Sequence, residues 1–177
     1  LSAAQALTGS IASSHVIKWL RAWYSEGMPD AIDLEIVRQM LPSTPYGAGV
    51  REIRPPVEIN GDAFEGMLAR DPDDRAVWGI AYNGKARRER QRVTIAHELG
   101  HFILHRSQQQ SFNCDNQSVH TGIDGLRQIE REVDEFAGNL LMPGDLLREW
   151  ISNQRIDLHV LSAIAKRFQV SFEALCI

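Results

Sequence analysis

Apolar positions along the chain change period several times, and each change marks an element. Between Ile11 and Tyr24, the side chains Val16, Ile17, Leu20 and Trp23 recur at helical spacing. After Asp33, a second short helix is predicted by Leu34, Ile36, Val37 and Met40, and Pro42 and Pro45 end it. The stretch from Val50 to Asn83 reads differently. Short β-like runs at Val57–Ile59, Phe64–Leu68 and Ala76–Tyr82 are punctuated by Asn60-Gly61, by Asp71-Pro72-Asp73-Asp74 and by Asn83-Gly84. These predict an antiparallel meander of about three strands. A helix is predicted over 92–106, with Val93, Ala96, Leu99, Gly100 and Ile103 on or near one face. Residues 107–122 are polar and rich in Gln and Asn, as an exposed loop would be. A further helix over 126–142 sets Leu126, Ile129, Val133, Phe136, Ala137, Leu140 and Leu141 towards a core and closes at Met142-Pro143-Gly144. Helical patterns then return at 145–151, at 158–167 and from Ser171 onward. The pattern predicts an α+β fold. A main unit, 1–143, carries a small sheet packed on two long helices, and a helical segment, 144–177, follows it.

Composition narrows the class without naming an activity. At 177 residues, with 44% hydrophobic and 24% charged positions, one domain with a proper core is expected. A net charge of −4 argues against a protein built mainly to grip nucleic acid non-specifically. No apolar run is long enough for a membrane span, and Leu1 to Ser14 lack the basic start and apolar stretch of a signal peptide. Cys114 and Cys176 form no CxxC pair and suggest no disulfide framework, so a reducing cytoplasm is the expected setting. The sequence starts without Met and stops inside a helical pattern, as a trimmed or partial chain would. One charge run stands out: Lys85, Arg87, Arg88, Arg90 and Arg92 surround the single acid Glu89. It reads as a solvated approach to a helix or as a contact surface for an acidic partner.

The chemistry is concentrated in His97-Glu98-Leu99-Gly100-His101. Residues four apart lie above one another on a helix, so two imidazoles at this spacing can converge on one metal ion. Glu98 sits about 100° round the helix and can approach a water bound to that ion. Zn²⁺ suits the pair, because it is tetrahedral, favours nitrogen and is catalytic when one position is left for water. A third protein ligand is then required. Glu130 lies four after Leu126 and three before Val133, so it projects from the buried face of its helix. A carboxylate there is costly unless paired or metal-bound, which makes Glu130 the third ligand. Asp134 shares that face and is placed to accept the free N–H of a ligating imidazole. Glu132 points the other way and reads as solvated surface. His105 continues the histidine stripe by one turn, too far along the axis for a fourth ligand, and reads as structural. His120 reads as surface and Cys114 as an inert thiol, while His15 and His159 carry no signal.

With these residues in view, the segment Arg92-Val93-Thr94-Ile95-Ala96-His97-Glu98-Leu99-Gly100-His101-Phe102-Ile103-Leu104-His105 closely resembles the ImmA/IrrE family of zinc metallopeptidases. So does Ile129-Glu130-Arg131-Glu132-Val133-Asp134-Glu135-Phe136-Ala137-Gly138-Asn139-Leu140-Leu141-Met142-Pro143. The resemblance extends from about Asp30 to the C-terminus. It implies a zincin-like fold of the gluzincin kind, with two His and one Glu on zinc. It also implies a substrate among helix-turn-helix repressors of mobile elements or stress responses. Val133-Asp134 departs from the Ala-Asn carried by many members. In the mechanism expected, Glu98 takes a proton from water activated by Zn²⁺ and hands it to the leaving amine, with the substrate extended along an edge strand near Trp78 to Asn83. No residue in the sequence announces itself as the oxyanion donor. Two rivals remain at this point. Residues 158–175 have the outline of a helix-turn-helix, which would make the chain a DNA-binding regulator. Alternatively, the zinc centre scaffolds a partner protein without hydrolysing it.

Overall fold

In the computed structural model, residues 7–115, 124–152 and 155–176 are described. Helix α1 spans Gly9–Trp23 and α2 spans Leu34–Met40, each opened by a side-chain cap, from Thr8 and Asp33 respectively. Five short strands follow in part: β1 (Glu52–Ile53), β2 (Val57–Ile59), β3 (Phe64–Arg70) and β4 (Val77–Asn83), with β5 (Ser111–Asp115) later in the chain. Between β4 and β5 runs α3 (Arg88–Leu104), and α4 (Asp124–Leu141) comes after β5. The chain continues through α5 (Gly144–Ile151) and α6 (Leu158–Phe168) to a single 3-10 turn at Glu173–Cys176.

The sheet is mixed, which corrects the expected antiparallel meander of about three strands. Strand order is β1-β4-β3-β5, with β2 also on β4. The hairpin β3–β4 is antiparallel as expected, closed by Asp71, whose carboxylate accepts the backbone N–H groups of Asp73 and Asp74. The run Val57–Ile59, however, pairs parallel with β4, as does β1. Alternation shows which side chains share a face and is silent on strand direction. The supposed loop 107–122 also contains a strand, since Ser111–Asp115 pairs antiparallel with β3.

Register explains how the sheet receives α3. Leu68 pairs with Ile80 on one side and with Phe112 on the other, so these three form one buried row across β4, β3 and β5. Gly66 lies in the next row, between Tyr82 and Cys114. Trp78 meets Phe102 of α3 edge-to-face, with ring centroids 6.0 Å apart. On its other side α3 packs against α4, and α4 in turn packs against α1. Buried between two layers, α3 carries Val93, Ala96, Leu99, Phe102 and Ile103 in the core while Thr94, Glu98 and His101 are buried too. The close approach is made at Gly100, where an added Cβ would stand 3.0 Å from Phe136 Cδ1 and 3.2 Å from Val133 Cβ. The C-terminal helices join the same buried cluster through Val160, Ile164, Phe168, Val170 and Ala174.

Phe136 is fully buried at this crossing. Phe136→Ala is therefore expected to cost about 3–5 kcal/mol in urea unfolding. A loss below about 1 kcal/mol would show that the α3–α4 contact is not part of the core.

Candidate metal centre

Two turns of α3 and two turns of α4 build the site. His97 and His101 stand on consecutive turns of α3, with ring centroids 4.9 Å apart and planes inclined by 71°. From α4, the Glu130 carboxylate reaches both: Oε2 lies 3.1 Å from His97 Nε2 and Oε1 lies 3.6 Å from His101 Nε2. One donor atom from each of the three falls within 4.8 Å of the other two, an arrangement that could hold a metal ion. Donors about 2.1 Å from a tetrahedral zinc-sized ion stand about 3.4 Å apart, so the spacing fits such an ion.

Proton positions strengthen the fit. His97 Nδ1 lies 2.9 Å from Asp134 Oδ1, and an ionised carboxylate can only accept, so Nδ1 carries the proton. With Nδ1 so engaged, His97 turns its Nε2 to Glu130, and a cation between the two would be held by both. His101 is neutral across the physiological range. Burial first, then the neighbouring His97 and His105, push its pKa down to about 2. Neutral imidazole is the form that binds metal.

Glu98 occupies the next position on α3 after His97 and is fully buried on the sheet side of the helix, beside Gly66. Asp134 stands where the spacing predicted, on the rear nitrogen of His97. Two expectations need correcting. Glu132 is not a solvated surface group: its Oε2 lies 3.2 Å from His105 Nε2, and its Oε1 accepts from Gln128. Glu130 finds its partners on α3 and Glu132 at the α3 C-cap, His105, because α3 and α4 approach so closely that more than one face of α4 meets it. The second concerns the strand proposed to receive a substrate. Trp78 to Asn83 is not an edge, for β4 is flanked by β3 on one side and by β1 and β2 on the other. His105 is buried and pairs with Glu132 away from the Glu130 carboxylate, and His120 lies outside the described residues.

Phe112, to which the residue pattern assigned no role, is brought to the centre by the structure. Its ring stacks on His101 at 4.5 Å and 17° and shields that imidazole from solvent. The signal available was the alternation Ser111-Phe112-Asn113-Cys114, hidden inside a polar stretch. The basic run leading into the first turns of α3 is also partly consumed by structure. Lys85 pairs with Asp62 and Arg90 with Glu65, while Arg92 donates to the carbonyls of Ile32 and Gln169. Arg87 and Arg88 are exposed and have no ion-pair partner among the described residues.

The geometry agrees with comparison to known proteins. Residues 58–177 match the peptidase M78 family, described as the IrrE N-terminal-like domain. This chain belongs to that family of metallopeptidases. Over 108 residues it is 33% identical to the radiation response metalloprotease IrrE of Deinococcus radiodurans, a match covering 58% of this chain and 30% of that protein. The chain thus spans less than a third of the relative's length. A family of metallopeptidases implies a metal cofactor, and the cluster of His97, His101 and Glu130 supplies a place for one.

Metal content should depend on this cluster alone. Elemental analysis is expected to find about one ion per chain, lost largely in His97→Ala, His101→Ala and Glu130→Ala. Asp134→Ala should keep the site but weaken metal affinity about 10–100-fold. Full metal in Glu130→Ala together with loss in Glu132→Ala would move the third ligand to Glu132.

Proposed function

We propose that this chain is a zinc-dependent endopeptidase that cleaves a specific intracellular protein, a helix-turn-helix transcriptional repressor of a mobile element or stress regulon. One observation carries the hydrolytic part: the Glu130 carboxylate stands 3.1 Å and 3.6 Å from two neighbouring imidazoles, with Glu98 fully buried on the same helix beside Gly66 of the sheet. Two nitrogens and one oxygen suit zinc, and three protein ligands leave the fourth position that a catalytic centre needs. We assign the hydrolytic unit to residues 1–143 and treat 144–177 as a helical segment that braces α3.

His97, His101 and Glu130 hold the ion, and Asp134 fixes the tautomer of His97 by accepting from Nδ1. When bound, zinc supplies acidity to a coordinated water and polarises the scissile carbonyl. Glu98 accepts the proton of the attacking water and delivers it to the leaving amine. Phe112 keeps solvent from the back of His101, so that its nitrogen is held for the ion. The substrate is placed along the outer edge of β5, which pairs with nothing among the described residues and brings Phe112 to the centre.

Selectivity must come from surface remote from the scissile bond, because an indiscriminate intracellular peptidase would damage its own cell. A cavity of about 880 Å³ lies at the far end of α3 from the histidines, lined in part by Arg87, Lys166 and Phe172. With Arg88 exposed beside it, this end offers a cationic contact to an acidic substrate segment. The repressor as substrate is supported by the family resemblance, and the relative's name, radiation response metalloprotease, agrees with a stress response.

Three outcomes are expected. Glu98→Gln keeps zinc and fold but loses about 10²–10⁴ in rate. The zinc-loaded chain leaves casein largely intact while cutting a helix-turn-helix repressor encoded beside it, in a chelator-sensitive way. Reversing charge at Arg87 and Arg88 weakens that cleavage without removing zinc. Near-native cleavage by Glu98→Gln would refute the mechanism. A salt-sensitive shift of operator DNA by this chain, with no repressor cut, would favour DNA-binding regulation instead.

A further inference from the structure

The sheet approaches α3 most intimately at Gly66, in β3. A Cβ placed there would lie 2.4 Å from Thr94 Cγ2, 2.6 Å from Glu98 Oε1 and 3.4 Å from Glu98 Cδ. The first two distances are shorter than packed atoms adopt, so any side chain at 66 would take the space of the Glu98 carboxylate. Backbone conformation does not require the glycine, because the positive-φ glycines among the described residues are Gly27 and Gly49. A glycine in the middle of a paired strand weakens that strand, and it marks a place where something must come close. Pairing between β3 and β5 also shifts register between Phe64 and Gly66, a distortion that re-aims a strand locally.

Glu98 has little freedom to retreat. It is fully buried, Thr94 sits one turn before it, and α3 is backed by Val133 and Phe136 where they meet Gly100. We propose that Gly66 is a positioning residue for Glu98: the missing side chain forms a socket in β3 that seats the carboxylate and aims it at the centre formed by His97, His101 and Glu130. The proposal rests on Glu98 being the base. The strand then helps the helix to set the orientation of that base.

Two measurements test it together. In thermal unfolding of the metal-free chain, Gly66→Ala should lower Tm by about 3–10 °C. With Thr94→Ser in both arms to remove the nearer clash, the same substitution in a Glu98→Ala background should cost less than half as much, because the clashing carboxylate is gone. Equal costs in both backgrounds overturn the proposal. In cleavage of the neighbouring repressor by the zinc-loaded full chain, Gly66→Ala should lower kcat about 100-fold with KM and zinc content nearly unchanged. It should not lower further the residual rate of Glu98→Gln, whereas a merely structural glycine would depress both enzymes alike. If Gly66→Ala does not fold, Thr94→Ser/Gly66→Ala removes the nearer clash and permits the same comparisons against Thr94→Ser. Full activity of Gly66→Ala beside an inactive Glu98→Gln overturns this proposal alone. Full activity of Glu98→Gln overturns the base assignment and this proposal with it.

Discussion

The close crossing of α3 and α4 is the constraint on which the rest of the molecule depends. Gly100 lets the helices approach until Val133 and Phe136 touch its backbone side. At that separation Glu130 reaches two imidazoles at once, and Asp134 reaches the rear nitrogen of the first. The interior so formed contains polar groups that would be unfavourable in an apolar core unless each is satisfied. His105 Nε2 is satisfied by Glu132 and His97 Nδ1 by Asp134. The Nε2 nitrogens of His97 and His101, facing the carboxylate of Glu130, are best satisfied by a cation. Apolar burial around them, from Leu99, Phe102, Phe136 and Leu140, holds this arrangement in place.

Much of the site was legible because helical spacing is local. Histidines four apart must share a face, and a carboxylate on the apolar stripe of α4 must be there for a reason. Helix starts and ends were also readable from Asp33, Pro143 and the apolar periods, to within a few residues. Strand partnership was not. The runs Val57–Ile59 and Val77–Asn83 look alike in sequence whether they pair parallel or antiparallel, because alternation is the same in both. The strand Ser111–Asp115 was hidden by its polar neighbours, and only its pairing with β3 reveals it. Glu132 was misjudged for a different reason. A single helix face was assumed to meet α3, whereas the tight crossing brings a second one into contact.

Corrected topology changes how the centre is supplied. With β4 enclosed by β1, β2 and β3, β5 is one edge of the sheet among the described residues, and it is the strand that also carries Phe112 against His101. One sheet therefore seats Glu98 at Gly66, shields His101 at Phe112 and presents an edge beside both. The cations at the start of α3 divide in the same economical way: Lys85, Arg90 and Arg92 hold the fold, and Arg87 and Arg88 are left at the surface.

The central claim is that two imidazoles and one carboxylate form a zinc centre with an open position. X-ray absorption at the zinc edge of the metal-loaded chain tests it directly. The account predicts two imidazole nitrogens at about 2.0–2.1 Å, oxygen donors at about 2.0–2.2 Å and no sulfur. A sulfur scatterer at about 2.3 Å, or a third imidazole in place of the carboxylate, would contradict it.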